Sequence, residues 1–79
     1  MTKLPLVSSR QLVRALRKAG FLDAPKRGKG SHVALVKNEN GQTRIVIVPD
    51  RATLPKGTLK AILDQAGLTK NQFMELLKK

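Results

Sequence analysis

Between Ser8 and Gly20 the apolar residues Leu12, Ala15, Leu16 and Ala19 recur at helical spacing, while Arg10, Arg14, Arg17 and Lys18 fall on the other faces. The spacing predicts an amphipathic helix with a basic outer surface. Ser8-Ser9-Arg10-Gln11 supplies its start as a capping box: the Ser8 hydroxyl accepts from the Gln11 amide, and Val7 is placed to staple onto Leu12. Gly20 supplies its stop. The pattern then changes period. Residues 31–37 and 43–48 are β-branched and aliphatic runs separated by Asn38-Glu39-Asn40-Gly41-Gln42, whose Asn-Gly pair is a hairpin signal. Helical spacing returns at Leu59, Ile62, Leu63 and Ala66, entered through Pro55-Lys56-Gly57-Thr58 and closed by Gly67. Thr69-Lys70-Asn71-Gln72 repeats the capping box, with Leu68 and Phe73 as staple and Leu76 and Leu77 extending a last apolar face.

Residues 21–27 fit two descriptions. Phe21 and Leu22 suit a short strand, whereas Asp23-Ala24-Pro25 suits a turn or an irregular edge. With a strand there, the order is α, β, β, β, α, α. Short links make the sheet antiparallel, and helices with single apolar stripes cover one of its faces. The expected fold class is therefore α+β: two layers, a three-stranded antiparallel sheet and helices on one face.

Two questions stay open at this level. A one-residue change in hairpin register decides whether His32 shares a sheet face with Ile45 and Ile47 or with Val46 and Val48. A two-residue Asn40-Gly41 turn sets Lys37 opposite Arg44, a like-charge pair that costs a fraction of a kcal/mol and leaves room for a longer loop. Val36, Val46 and Ile47 add a further demand, because aliphatics on both faces of a sheet cannot all lie under one layer of helices. A partner chain over the second face, or irregular loops, would cover the remainder.

Seventy-nine residues make one small domain, spanning 1–79, and leucine, valine and isoleucine supply most of its apolar content. The absence of cysteine excludes a disulfide framework, a thiolate zinc site and a cysteine nucleophile. No apolar run approaches the roughly 20 residues needed to cross a bilayer, so the expected location is the cytoplasm, with no membrane partner. Sixteen Lys and Arg against five Asp and Glu give a net charge of +11. That field attracts a polyanion: nucleic acid, anionic lipid or an acidic protein. Lipid ranks below the others because no helix pairs its basic face with bulky aromatics.

Against that charge, Gly28-Lys29-Gly30-Ser31-His32 places the chain's single histidine after a cationic, glycine-bearing turn and before an apolar run. An imidazole beside a bound phosphodiester is an RNA-cleaving arrangement. RNA carries its own nucleophile, the 2′-hydroxyl, so cleavage needs a base, an acid and cations at the phosphorane, with no metal and no cofactor. Lys26, Arg27 and Lys29 lie within six residues of His32 and are placed to clamp the scissile phosphate. Gly28 and Gly30 permit close backbone approach to an oxyanion, and Ser31 is a hydrogen bonder or a turn residue. Lys56 and the amides that open the second helix form a separate phosphate contact. The stripe of Arg10, Arg14 and Arg17 suits a solvated face as well as an RNA contact.

The N-terminal helix closed by Gly20-Phe21, then Lys29-Gly30-Ser31-His32, Val46-Ile47-Val48-Pro49 and Lys56-Gly57-Thr58-Leu59-Lys60-Ala61-Ile62-Leu63, followed by Gln65-Ala66-Gly67-Leu68, resembles the HicA family of toxin mRNA interferases over about residues 8–72. The resemblance implies a fold like a double-stranded RNA-binding domain, endoribonuclease activity on messenger RNA, and neutralisation by a HicB-like antitoxin. It also makes His32 the catalytic residue, by alignment of Gly30, Ser31 and His32 with the family motif. Many relatives carry a second histidine two positions after the strand-ending proline, where this chain has Arg51. Here one imidazole serves alone. The competing expectation is a non-catalytic RNA-binding module using the same charge and fold; a purely protein-binding regulator ranks third, and no small-molecule substrate is implied.

Overall fold

Ser8 caps the first helix by the reciprocal pair its sequence suggests. Its hydroxyl accepts from the Gln11 amide at 3.1 Å and its amide donates to the Gln11 side-chain oxygen at 2.9 Å. The computed structural model describes residues 4–24 and 32–78. Its elements run α1 (Ser9–Lys18), β1 (Leu22–Asp23), β2 (His32–Glu39), β3 (Gln42–Pro49), α2 (Lys56–Ala66) and α3 (Lys70–Lys78). The α3 start repeats the same device, with Thr69 and Gln72 exchanging hydrogen bonds at 2.8 and 3.1 Å. The three strands form one antiparallel sheet in the order β1-β2-β3. The α+β class, with helices on one face of a three-stranded antiparallel sheet, is what the chain adopts.

Register follows from the turn. Asn40 and Gly41 both have positive φ, 51° and 76°, which is the two-residue hairpin geometry whose twist matches the strands. Pairing then runs from Glu39 with Gln42 through Leu35 with Val46 to His32 with Pro49. Because side chains alternate, Val33, Leu35 and Lys37 share a face with Arg44, Val46 and Val48, while His32, Ala34 and Val36 share the other with Ile45 and Ile47. Leu35, Val46 and Val48 join Leu12, Leu16, Leu59, Leu63 and Phe73 in one buried cluster, so the first face is the helix side. The face of His32 is the one away from the helices; on it Ala34 is buried while Ile45 and Ile47 stay partly open.

The short turn does set Lys37 opposite Arg44. Glu39, two residues along the same face, reaches both, at 3.7 Å to Lys37 Nζ and 3.3 Å to Arg44 Nε, which offsets their repulsion. Each cation also finds a second site on the helix side. Lys37 Nζ sits 5.8 Å from the Phe21 ring centroid. Arg44 reaches the Gln65 carbonyl at the end of α2, whose last turn has no basic residue of its own.

Gly67 ends α2 with φ +74°, and a Cβ there would stand 2.9 Å from Arg44 Cζ. Gly67→Ala is therefore expected to cost about 1–2 kcal/mol from the left-handed backbone, with Arg44 displaced from its carbonyl. Urea unfolding of the two proteins reads the difference, and Gly67→Asn should lose less because asparagine tolerates that region. Residues before α1 also join the core: Leu4 and Val7 are buried, and the Leu54 amide donates to the Val7 carbonyl at 2.8 Å. Of the ambiguous stretch 21–27, Phe21 is core and Leu22–Asp23 is an edge strand. The rest of that stretch beyond Ala24 lies outside the described residues.

Candidate nucleic-acid interface

His32 opens β2 and is solvent-exposed. Its backbone partner is Pro49, the last residue of β3, so the histidine stands at the end of the sheet farthest from the hairpin turn. On its face lie Leu22, Ile45 and Ile47, which are 70%, 40% and 41% exposed. Of the aliphatics that overfill the sheet, Val46 faces the helices and Val36 and Ile47 face outward. The imidazole thus shares an open apolar surface and is not sealed beneath it.

Lys26, Arg27, Gly28, Lys29, Gly30 and Ser31 lie outside the described residues, directly before His32 in the chain. Lys56 is the first residue of α2 and is exposed; Pro55 precedes it and makes no side-chain hydrogen bond to the helix amides. Arg51 follows Pro49 by two residues and is also exposed, which places it at the same end of the sheet as His32.

The exit of β3 is held by a residue the hydrophobic pattern did not single out. Ser9 is only 5% exposed. Its hydroxyl donates to the Pro49 carbonyl and accepts from the Arg51 amide at 2.7 Å, and its own amide donates to the Arg51 carbonyl at 3.0 Å. The signal was present in the sequence: Ser9, Leu12 and Leu16 share one helical face, so the second serine of the pair had to be buried and satisfied. Ser9→Ala leaves a carbonyl and an amide without this partner, an expected loss of about 1–3 kcal/mol. At about 4–8 °C of Tm per kcal/mol for a domain of this size, thermal unfolding followed by circular dichroism measures it.

Beside this junction runs a cationic groove. A hollow of about 370 Å³ is lined by Ser9, Arg10, Val13, Arg14, Arg17, Val33 and Asp50. A second, of about 480 Å³, is lined by Ser8, Arg10, Asp50, Arg51 and Ala52. They share Arg10 and Asp50. The arginine stripe of α1 is therefore one wall of a depression that continues to Arg51, and Arg17 is partly neutralised by Asp23, with contacts of 2.9 and 3.0 Å.

The sequence matches the family model described as "HicA toxin of bacterial toxin-antitoxin" over residues 9–68, which is 60 of the 79 residues. The chain belongs to the HicA toxin family. The match begins at Ser9 and ends just past Gly67, so it takes in α1, the whole sheet and α2. Membership makes the chain a toxin with an antitoxin as its partner. No curated protein matches the sequence. No helix among the described residues is long and apolar enough to cross a membrane.

Proposed function

We propose that this HicA toxin is a metal-independent endoribonuclease that cleaves messenger RNA in the cytoplasm, with His32 in acid-base catalysis. The observation that carries this reading is the position of His32: exposed, at an open end of the sheet, on the face without helices. The substrate's 2′-oxygen bonds to the adjacent phosphorus as it gives up its proton, and the bond from phosphorus to the 5′-oxygen of the next nucleotide breaks as that oxygen takes up a proton, leaving a 2′,3′-cyclic phosphate and a 5′-hydroxyl. His32 carries one of these two proton transfers. Lys26, Arg27 and Lys29 hold the scissile phosphate, with Lys29 first among them, and the Gly28 and Gly30 amides approach its oxygens. Ser31, next to His32 in the chain, joins them among the RNA contacts. Lys56 and the amides at the start of α2 take a separate phosphate. Arg51 stands where relatives carry a second histidine, and its fixed charge suits phosphate binding and not proton transfer.

A HicB-like antitoxin neutralises the toxin by covering the outward face of Leu22, Val36, Ile45 and Ile47, and His32 with it. The decisive experiment is RNA cleavage by purified protein and by folded His32→Ala, with and without EDTA. Loss of cleavage in the variant and indifference to EDTA support the proposal. Intact RNA after incubation with the parent protein favours the binding-module reading instead.

A further inference from the structure

The chain has five acidic residues: Asp23, Glu39, Asp50, Asp64 and Glu75. Four of them are in ion pairs, Asp23 with Arg17, Glu39 with Lys37 and Arg44, Asp64 with Lys60 and Glu75 with Lys78. Asp50 alone has no ion pair or hydrogen bond with the described residues, although it lines two hollows together with Arg10, Arg14, Arg17 and Arg51. Arg10 and Arg14, one turn apart on α1, likewise have no ion pair with the described residues, whereas their neighbour Arg17 is held by Asp23. Val13 and Val33 supply the apolar part of the same lining.

We infer that this groove seats the RNA strand next to the scissile bond, with Arg10 and Arg14 on its phosphates and Asp50 accepting a hydrogen bond from a ribose 2′-hydroxyl. The choice of RNA as ligand rests on the nuclease reading above. The arrangement matches the repeating chemistry of a ribonucleotide chain: an anion, a sugar with a free donor, and an apolar face. Guanidinium groups pair well with phosphate oxygens. A carboxylate without a partner repels phosphate and accepts only from donors, and every ribonucleotide presents such a donor beside its phosphate while a deoxyribonucleotide does not. Val13 and Val33 offer a surface against which a base or ribose packs, and a hollow of about 370 Å³ is in the range of small-ligand pockets.

The groove also leads to the histidine. Val33 precedes Ala34 on β2 and is the immediate neighbour of His32, and the second hollow carries the depression past Asp50 and Arg51, the residues that follow His32's partner Pro49. His32 faces the opposite side of the sheet from Val33. A strand lying along α1 therefore rounds the end of the sheet before its backbone meets the imidazole. Ser9, which ties α1 to Pro49 and Arg51, fixes the two segments relative to each other.

The test is fluorescence anisotropy with a labelled single-stranded RNA of mixed sequence and the DNA of the same sequence, in the His32→Ala background so that the RNA stays whole. Joint replacement Arg10→Ala and Arg14→Ala should weaken RNA binding by about tenfold or more near 0.15 M salt. It should also reduce the slope of log affinity against log salt by about 1.4, at about 0.7 per phosphate lost on a single strand. Lysine at both positions should restore most of the affinity, and Arg17→Ala should change it less than about threefold. Asp50→Ala should bring RNA and DNA affinities together. Amide shifts at Val13 and Val33 on adding RNA to protein with its arginines intact give a reading independent of any variant's folding.

Unchanged affinity in the double variant, still amide shifts at Val13 and Val33, or an RNA preference that survives Asp50→Ala would each overturn the proposal. So would shifts produced by poly-glutamate and not by RNA. If the groove binds RNA as described while the parent protein leaves it uncut, the nuclease reading fails and the groove stands; if cleavage proceeds normally without Arg10 and Arg14, the reverse holds.

Discussion

His32→Ala is expected to lower the rate of RNA cleavage by about 10²–10⁴-fold, the range associated with a positioned acid-base group, while leaving the fold intact. Both halves follow from where the residue sits. The side chain is exposed and outside the buried cluster, and the hydrogen bonds that hold the end of β3 come from Ser9. A truncated imidazole thus removes chemistry with little packing. The expected result is an unchanged circular dichroism spectrum and melting curve, retained RNA binding, lost cleavage and lost growth arrest when the variant is expressed. Equal cleavage by parent and variant would remove His32 from the reaction and pass the role to Lys26, Arg27 and Lys29, which precede it in the chain. His32→Lys separates charge from proton transfer: a cation alone should hold the phosphate and fail to restore turnover.

The second large effect is expected on neutralisation. Ile45→Asp should weaken antitoxin binding by about 30-fold or more, as loss of a central apolar anchor costs about 2 kcal/mol or above, and the toxin should then arrest growth even with its antitoxin co-expressed. Ile45 pairs with Val36, and Leu22 pairs with Val36 from the other side, so all three strands meet at this point of the open face. At 40% exposed, Ile45 takes an aspartate without burying its charge in the core. It is four residues before Pro49 along β3, which separates it from the His32 end of the sheet and leaves cleavage unaffected. Titration calorimetry with purified antitoxin measures the change. Unaltered affinity would place the antitoxin elsewhere on the toxin.

The helices were legible because each carries a local start and stop signal as well as its stripe. Ser8 with Gln11, Thr69 with Gln72, and Gly67 act within a few residues, and the structure uses each as the pattern implies. The hairpin turn was equally local. What the pattern left open was non-local. The Lys37 and Arg44 pair looked unfavourable because nothing in a two-strand comparison reveals that Glu39 bridges the two or that Arg44 reaches the end of α2. With Glu39 between the two cations the short turn holds, and it fixes the face of His32. Ser9 and Asp50 are non-local in the same way: the burial of one and the isolation of the other arise from segments about 40 residues apart. The histidine itself stood out as the chain's single imidazole in a family motif, whereas the groove beside it needs α1 and the end of β3 brought together.

Locking four of the five carboxylates into ion pairs has a thermodynamic side for the free toxin. The remaining positive excess is held within a body whose Cα radius of gyration is 11.8 Å, so the folded state carries a self-repulsion that expansion would relieve. Added electrolyte then firms the compact state by screening that repulsion. The free toxin is therefore expected to melt at a lower temperature in dilute buffer than in moderate salt.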